Sequence, residues 1–129
     1  MARNYYRYLT AFTCQASNAI TADAFSTGTK TAFDATASGN CDGCEEAEIE
    51  IDVTSYTADA RCEVYQEALQ HDGVGDMAPR LVGSVAITAA DKYQVSISGL
   101  SEKGNIIIKA ITTGFTASAS MRGIYPADA

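Results

Sequence analysis

The chain has 129 residues and a mass of 13.6 kDa, which is the length of one ordinary domain with a core of its own. Hydrophobic residues make up 47% of the chain and charged residues 19%, which excludes a wholly disordered protein. Nine Lys and Arg against sixteen Asp and Glu give a formal charge of −7, so binding to nucleic acid or to an anionic membrane surface, which needs a basic face, is not expected.

Residues 1–20 are interpreted as an extended N-terminal arm and residues 21–129 as a single domain. The arm begins with aromatic residues and a cation, and these are the predicted contact residues: Tyr5, Tyr6, Arg7, Tyr8 and Phe12. Aromatic rings with polar tips suit contact with another subunit. The alternative is that the arm docks on its own domain.

No apolar run in the sequence has signal-peptide length or approaches the roughly 20 residues that span a bilayer. We therefore expect no transmembrane segment and no export by a cleaved signal, and we expect synthesis in a cytoplasm.

Strict alternation of apolar and acidic residues over 47–53 predicts a strand with one buried and one solvated face. Similar patterns predict strands around 85–88, 93–100, 106–111 and 115–121, the last two as a final hairpin, and shorter strands are expected near Phe25 and Phe33. Residues 60–70 also fit a helix, but Cys62 and Val64 alternate with Arg61 and Glu63, which favours a strand.

Turn sequences separate these segments at short intervals, for example Asp42-Gly43, Asp72-Gly73 and Ser98-Gly99. Short strands joined this way pair antiparallel, because parallel pairing needs long crossovers. The predicted fold is therefore all-β, an antiparallel β-sandwich of jelly-roll or Ig-like type.

The four cysteines form no complete metal-binding signature. Cys41 and Cys44 have the CxxC spacing, but no second such pair follows. A zinc site or disulfide cluster of Cys14, Cys41, Cys44 and Cys62 stays open as an alternative. The preferred interpretation is that Cys14 and Cys62 are small buried residues and that Cys41 and Cys44 flank a tight turn.

No enzyme motif is present. The single histidine, His71, lies in a Gly- and Asp-rich segment typical of a turn between strands, and no nucleophile lies near it in sequence. We expect no catalytic residues and no cofactor. The acidic run 42–48 could hold a hard cation, but its glutamates continue along one strand face, which favours a solvated surface.

The order of motifs over about residues 38–123 carries a resemblance. A Gly- and Cys-containing segment at 38–44 precedes the alternating strand at 47–53, a segment ending at Asp72-Gly73 follows, and the chain closes with strands at 85–88, 93–100, 106–111 and 114–121. This order resembles the small β-sandwich structural proteins of tailed bacteriophages, which include head decoration (cement) proteins.

The resemblance implies a non-enzymatic protein that binds the outer capsid surface of a virion and stabilises the shell. It implies the major capsid protein as partner and a homo-oligomer, with a trimer favoured. The four cysteines and the tyrosine-rich arm depart from that pattern.

The second hypothesis is a carbohydrate-binding or host-recognition module of a phage fibre, tail or neck. Sugar-binding surfaces use exposed aromatic rings, and the candidates in the sandwich are Tyr56, Tyr65 and Tyr93.

Overall fold

The computed structural model describes the backbone of residues 4–128 and the side chains of residues 7–125. The described backbone forms the following strands: β1 (Asn4–Tyr8), β2 (Phe12–Ile20), β3 (Phe33–Asp34), β4 (Glu46–Ser55), β5 (Ala60–Ala68), β6 (Arg80–Ile87), β7 (Lys92–Ser98), β8 (Lys103–Ile111) and β9 (Phe115–Asp128). Within this part of the chain, no helix is long and apolar enough to cross a membrane.

The strands form two antiparallel sheets packed face to face, which confirms the predicted β-sandwich. Sheet A has the order β1-β9-β4-β7, with β2 also paired to β9, and sheet B has the order β3-β8-β5-β6. β1 and β2 both pair with β9 and lie end to end along one of its edges. Leu9, between them, continues this pairing, since its N–H donates to the carbonyl of Gly123 at 2.9 Å.

The strand order selects the jelly roll over the Ig-like alternative. If β1 and β2 count as one broken strand, each sheet has four strands and only β5 and β6 are both paired and consecutive in the chain. The connections from β6 onward all cross from one sheet to the other, as in a double-sheet jelly roll.

The core lies between the sheets and follows the period-two pattern. On β4 the side chains of Ala47, Ile49, Ile51 and Val53 are buried, while Glu46 and Glu50 are exposed. β9 lies beside β4 in the same sheet and adds small side chains, Ala117 and Ala119, to this face, and the opposing sheet B contributes Cys62, Val64, Ile106 and Ile108. Burial of this apolar face stabilises the pairing of the two sheets.

Two expectations on the strands have opposite outcomes. Residues 60–68 form strand β5, as the alternation of Cys62 and Val64 predicts. The predicted final hairpin is wrong, because β8 belongs to sheet B and β9 to sheet A. The connection turns at Thr112, whose φ is +76°, and leads the chain across the sandwich.

The segment interpreted as an N-terminal arm is paired with the sandwich. Both strands within it, β1 and β2, pair with β9, and its boundary after residue 20 stays a prediction. β4 reaches β9 no further than Ile124, so residues 125–128 of β9 pair with β1 alone and form a two-stranded ribbon at the end of sheet A.

Candidate functional site

The predicted contact residues divide into an exposed and a packed part. Arg7 and Tyr8 are exposed on β1, and the ring of Tyr8 lies under the guanidinium of Arg122, 4.1 Å from ring centroid to Cζ. Phe12 is half-buried on β2 and packs against the core. The backbone of Tyr5 and Tyr6 belongs to β1, while their side chains lie outside the described residues. The contact role of these residues stays a prediction.

The outer face of sheet A carries the acidic residues of β4. Arg122 on β9 donates from Nε and Nη2 to Oε1 of Glu48, at 2.9 and 2.7 Å. Lys92 on β7 lies 3.8 Å from Glu50. The exposure of Glu46 and Glu50 confirms the predicted solvated face of β4. Separately, the described residues contain no group of three or more His, Cys, Asp or Glu side chains that could hold a metal ion.

A cleft of about 320 Å³ lies over the middle of this face. Its side chains come from three neighbouring strands and carry both charges and neutral polar groups: Glu48, Glu50, Lys92, Gln94, Ser120 and Arg122. The stack of Tyr8 on Arg122 borders the cleft at the β9 side. The cleft offers both hydrogen-bond donors and acceptors, and its two carboxylates are balanced by two cationic side chains.

The four cysteines are all buried and free. Cys14 lies on β2 and Cys62 on β5 in the opposite sheet, while Cys41 and Cys44 lie in the turn before β4. Cys41 lies close enough to Cys14 and to Cys44 for the charge of one thiolate to affect the next thiol, but within the described part of the chain no group of three or more such side chains could hold a metal ion. The Cys14 thiol donates to the carbonyl of Ala119 at 3.4 Å.

Burial disfavours the thiolate form of these cysteines. It raises the pKa of the Cys14 and Cys62 thiols to about 12. Burial, with the neighbouring Cys44 and Asp34, raises the pKa of Cys41 to about 11. The thiolate is the form that attacks electrophiles and binds metals, so the folded protein holds these cysteines in their unreactive form.

His71 lies at the exposed tip of the connection between β5 and β6. The tip is a tight turn in which Gly73 has a φ of +77° and the Asp72 carboxylate accepts from the N–H of Val74. Val74 is 85% exposed there. The sequence reasoning predicted the turn but missed its apolar tip, although a valine between two glycines offered the signal.

The three tyrosines predicted for sugar binding do not form one platform. Tyr56 hydrogen-bonds to Asp59, and the Tyr65 hydroxyl donates to Glu63 at 2.8 Å. Tyr65 also packs edge to face with Phe25, at 5.0 Å between ring centroids. The Tyr93 hydroxyl accepts from the N–H groups of residues 88 and 89. Tyr56 and Tyr93 lie near each other, and Tyr93 also lines the cleft on sheet A, whereas Tyr65 packs against Phe25.

Comparisons with known proteins find distant likenesses in structure. No family model and no curated protein matches the chain. The chain is similar to the crystal structure of the SPBc2 prophage-derived protein YomS, with 13% identity over 97% of this chain and 96% of that one, at a TM-score of 0.48.

It is also similar to the CBM22-1–GH10 modules of Clostridium thermocellum endo-1,4-β-D-xylanase 10B, solved with xylohexaose, with 12% identity, a TM-score of 0.47, and coverage of 90% of this chain but 26% of that one. A third similar structure is that of infectious bursal disease virus, Gx strain, with 16% identity, a TM-score of 0.42, and coverage of 97% and 32%. Likenesses at this level carry no argument about function.

Proposed function

We propose that the chain is a non-enzymatic structural protein of a virion, a decoration or cement protein that binds the outer capsid surface and stabilises the shell. The proposal follows the resemblance in motif order over residues 38–123. The observation that carries it is the position of β1, which lies at an open edge of sheet A and pairs with β9 alone among the described strands. An open strand edge with exposed aromatic and cationic side chains is suited to contact with other proteins.

The proposed mechanism is multivalent adhesion. The exposed pair Arg7 and Tyr8 offers a small contact area, which gives weak binding for one copy. An oligomer raises the effective concentration of the remaining copies once one has bound, so overall affinity increases without new contacts. Because the protein binds the assembled shell and not its separated subunits, binding favours the shell by mass action.

The test uses the purified full chain and undecorated capsids of the virus that encodes it. We expect saturable binding in a fixed copy number, followed by longer survival of the shells on heating or osmotic shock. Absence of binding, or binding that leaves shell survival unchanged, would overturn the proposal.

The contact residues have a matched control. Arg7→Glu reverses a charge in the proposed contact, whereas Arg61→Glu reverses one on the outer face of sheet B and gives the same net charge. We expect Arg7→Glu to weaken capsid binding by about tenfold or more and Arg61→Glu to leave it nearly unchanged. Equal weakening would mean that net charge matters and that the N-terminal contact is wrong.

The cleft on the outer face of sheet A favours a second candidate, a carbohydrate-binding or host-recognition module. Carboxylate, amide and hydroxyl groups at Glu50, Gln94 and Ser120 can hydrogen-bond to sugar hydroxyls. The exposed ring of Tyr8 stacks on Arg122, which lines the same cleft. A volume of about 320 Å³ is at the lower end of the range for small-ligand sites.

This candidate is tested on a glycan array with Glu50→Gln and Glu46→Gln. Both residues lie on the same face of β4, but Glu46 is outside the cleft. We expect binding of a defined glycan that is lost in Glu50→Gln and kept in Glu46→Gln. Absence of binding to every glycan on the array, or equal loss of binding in both variants, would contradict the second candidate.

A further inference from the structure

The outward edge of β1 carries backbone groups with which no described strand pairs. The bond from the Leu9 N–H to the Gly123 carbonyl shows which residue pairs of the β1–β9 ladder are hydrogen-bonded. Because hydrogen-bonded and non-hydrogen-bonded pairs alternate in an antiparallel ladder, residues 5 and 7 direct their N–H and C=O groups toward β9. Residues 4, 6 and 8 direct theirs away from it, toward an edge with which no described strand pairs.

The other edges of the two sheets are protected against pairing with a further strand. β2 has two register shifts along β9, and β3 is two residues long. β6 has a register shift against β5, and β6 and β7 pack alongside each other. Bulges, short length and covering strands are the usual protections of sheet edges. β1 keeps one register over five residues, without a bulge.

We propose that β1 pairs antiparallel with β1 of a second copy of this chain, about a two-fold axis at Tyr6. The register follows from the backbone. The ladder has to use all five residues, and the backbone groups that point away from β9 have to meet the same groups of the other copy. Only one register does this: residue 6 pairs with residue 6 of the other copy, and residue 4 pairs with residue 8. These pairs each exchange two N–H···O=C hydrogen bonds, and sheet A continues from one protomer into the other.

The sequence of β1 suits this self-pairing. In this register the positive Arg7 opposes Tyr5 of the other copy, and Asn4 opposes Tyr8, so no like charges face each other. Tyrosine is a favoured strand residue and pairs well with another aromatic residue across a ladder. A two-fold contact is isologous, so it closes at two copies and needs no second surface.

The inference rests on the proposed role of the N-terminal segment as a contact segment and names the partner of its backbone edge. The side chains of Arg7 and Tyr8 stand off the faces of the sheet and remain for the capsid. In that arrangement the dimer supplies the avidity of capsid binding. The self-pairing of β1 predicts a dimer in solution, whereas the resemblance to phage proteins favours a trimer.

The test is the mass of the full chain in solution, measured by light scattering during size-exclusion chromatography. We expect about twice 13.6 kDa for the wild type. Tyr6→Pro removes an outward N–H without removing a bond to β9, because residue 6 is a non-hydrogen-bonded partner of Pro126. We expect this variant to be monomeric, and Tyr6→Val, which keeps the N–H, to remain dimeric.

A second measurement does not depend on a variant. Hydrogen exchange of the wild type should show amide protection at residues 6 and 8 that increases with protein concentration, while residue 7 is protected at every concentration. A monomeric or trimeric wild type, a dimeric Tyr6→Pro, or protection at residues 6 and 8 that is independent of concentration would overturn the inference.

Capsid binding is measured separately. A monomeric wild type that still binds the capsid would overturn this inference alone, and a stable wild-type dimer that binds no capsid would overturn the proposed function alone.

Discussion

At the scale of single residues, Gln66 connects β5 to the turn between β7 and β8. Its side chain is buried; Oε1 accepts from the N–H of Ser101 at 3.0 Å, and Nε2 donates to the carbonyl of Gly99 at 3.3 Å. A buried polar side chain in a sandwich core is stable only when its hydrogen bonds are made. Gln66 therefore positions this turn against sheet B.

Gln66→Leu keeps the side-chain size but leaves the Ser101 N–H without its acceptor. We expect the free energy of unfolding, measured by urea denaturation, to fall by about 1–3 kcal/mol. Gln94→Leu, on the exposed side of β7, should change it by less than about 0.5 kcal/mol. Similar values for the two variants would contradict the role of Gln66.

The buried thiols make stability depend on alkaline pH. An unfolded thiol loses its proton near pH 9.0, whereas burial raises the pKa of Cys14 and Cys62 to about 12. Above pH 9 the folded state therefore binds more protons than the unfolded state, and the free energy of unfolding falls as pH rises from 9 toward 12. Below pH 9 this contribution is fully present.

We expect a loss of about 1.4 kcal/mol per pH unit for each such thiol once the unfolded form is ionised. Urea denaturation with reductant present at pH 8, 9 and 10.5 measures it. Cys62→Ala should be less stable at pH 8, because it leaves a cavity, but should show a shallower decline. An unchanged decline in Cys62→Ala would contradict the assignment.

At the scale of elements, β9 fits against the turn before β4 only because residue 123 has no side chain. A Cβ there would lie 2.5 Å from the Sγ of Cys44, which is itself buried. This contact joins the C-terminal half of β9 to the CxxC turn. The sequence predicted a turn at Asp42-Gly43 but no partner for it.

Gly123→Ala should lower the free energy of unfolding by about 1–3 kcal/mol, because the methyl group has to displace Cys44. Ser118→Ala, on the opposite face of β9, should stay within about 0.5 kcal/mol. In the double variant Gly123→Ala/Cys44→Ala the smaller side chain relieves the overlap, so the two effects should not add. Additive effects in urea denaturation would contradict the contact.

The elements differ in how far the sequence predicts them. Strands with one buried face, such as β4 and β7, show their alternation directly, so they are predictable in position and facing. The partner of a strand is not local information. The β8–β9 hairpin was expected because the two strands are neighbours in the chain, yet Thr112 turns the chain into the other sheet.

At the scale of the whole molecule, the N-terminal segment has two parts with different roles. β1 pairs with β9 alone at the end of sheet A, whereas β2 contributes Cys14 and Ile20 to the core. Residues 4–20 are thus not one unit in their contribution to stability.

Deletion of residues 1–8 should keep a cooperative thermal transition, with a melting temperature lowered by about 8 °C or less. Deletion of residues 1–20 should abolish that transition, because it removes an edge of β9 and two core side chains. Scanning calorimetry distinguishes the two truncations. If the shorter deletion also abolished the transition, β1 would be part of the folding unit and not an added edge.

The candidate site was only partly visible in the sequence. The tyrosine-rich start and the acidic face of β4 are read from the residue order. The cleft that Glu50, Gln94 and Ser120 line is formed by three strands that are distant in the chain and adjacent in sheet A. The role of Tyr56, Tyr65 and Tyr93 in sugar binding stays a prediction; of the three, Tyr93 lines the cleft.

The sequence by itself determined the all-β class, the two faces of β4 and the positions of the main turns, because period-two burial and turn chemistry are local properties of the chain. Only the tertiary structure decided the jelly-roll order, the burial of all four cysteines and the open edge of β1. Those features depend on which strands meet across the sandwich, and that is set by packing of the whole core.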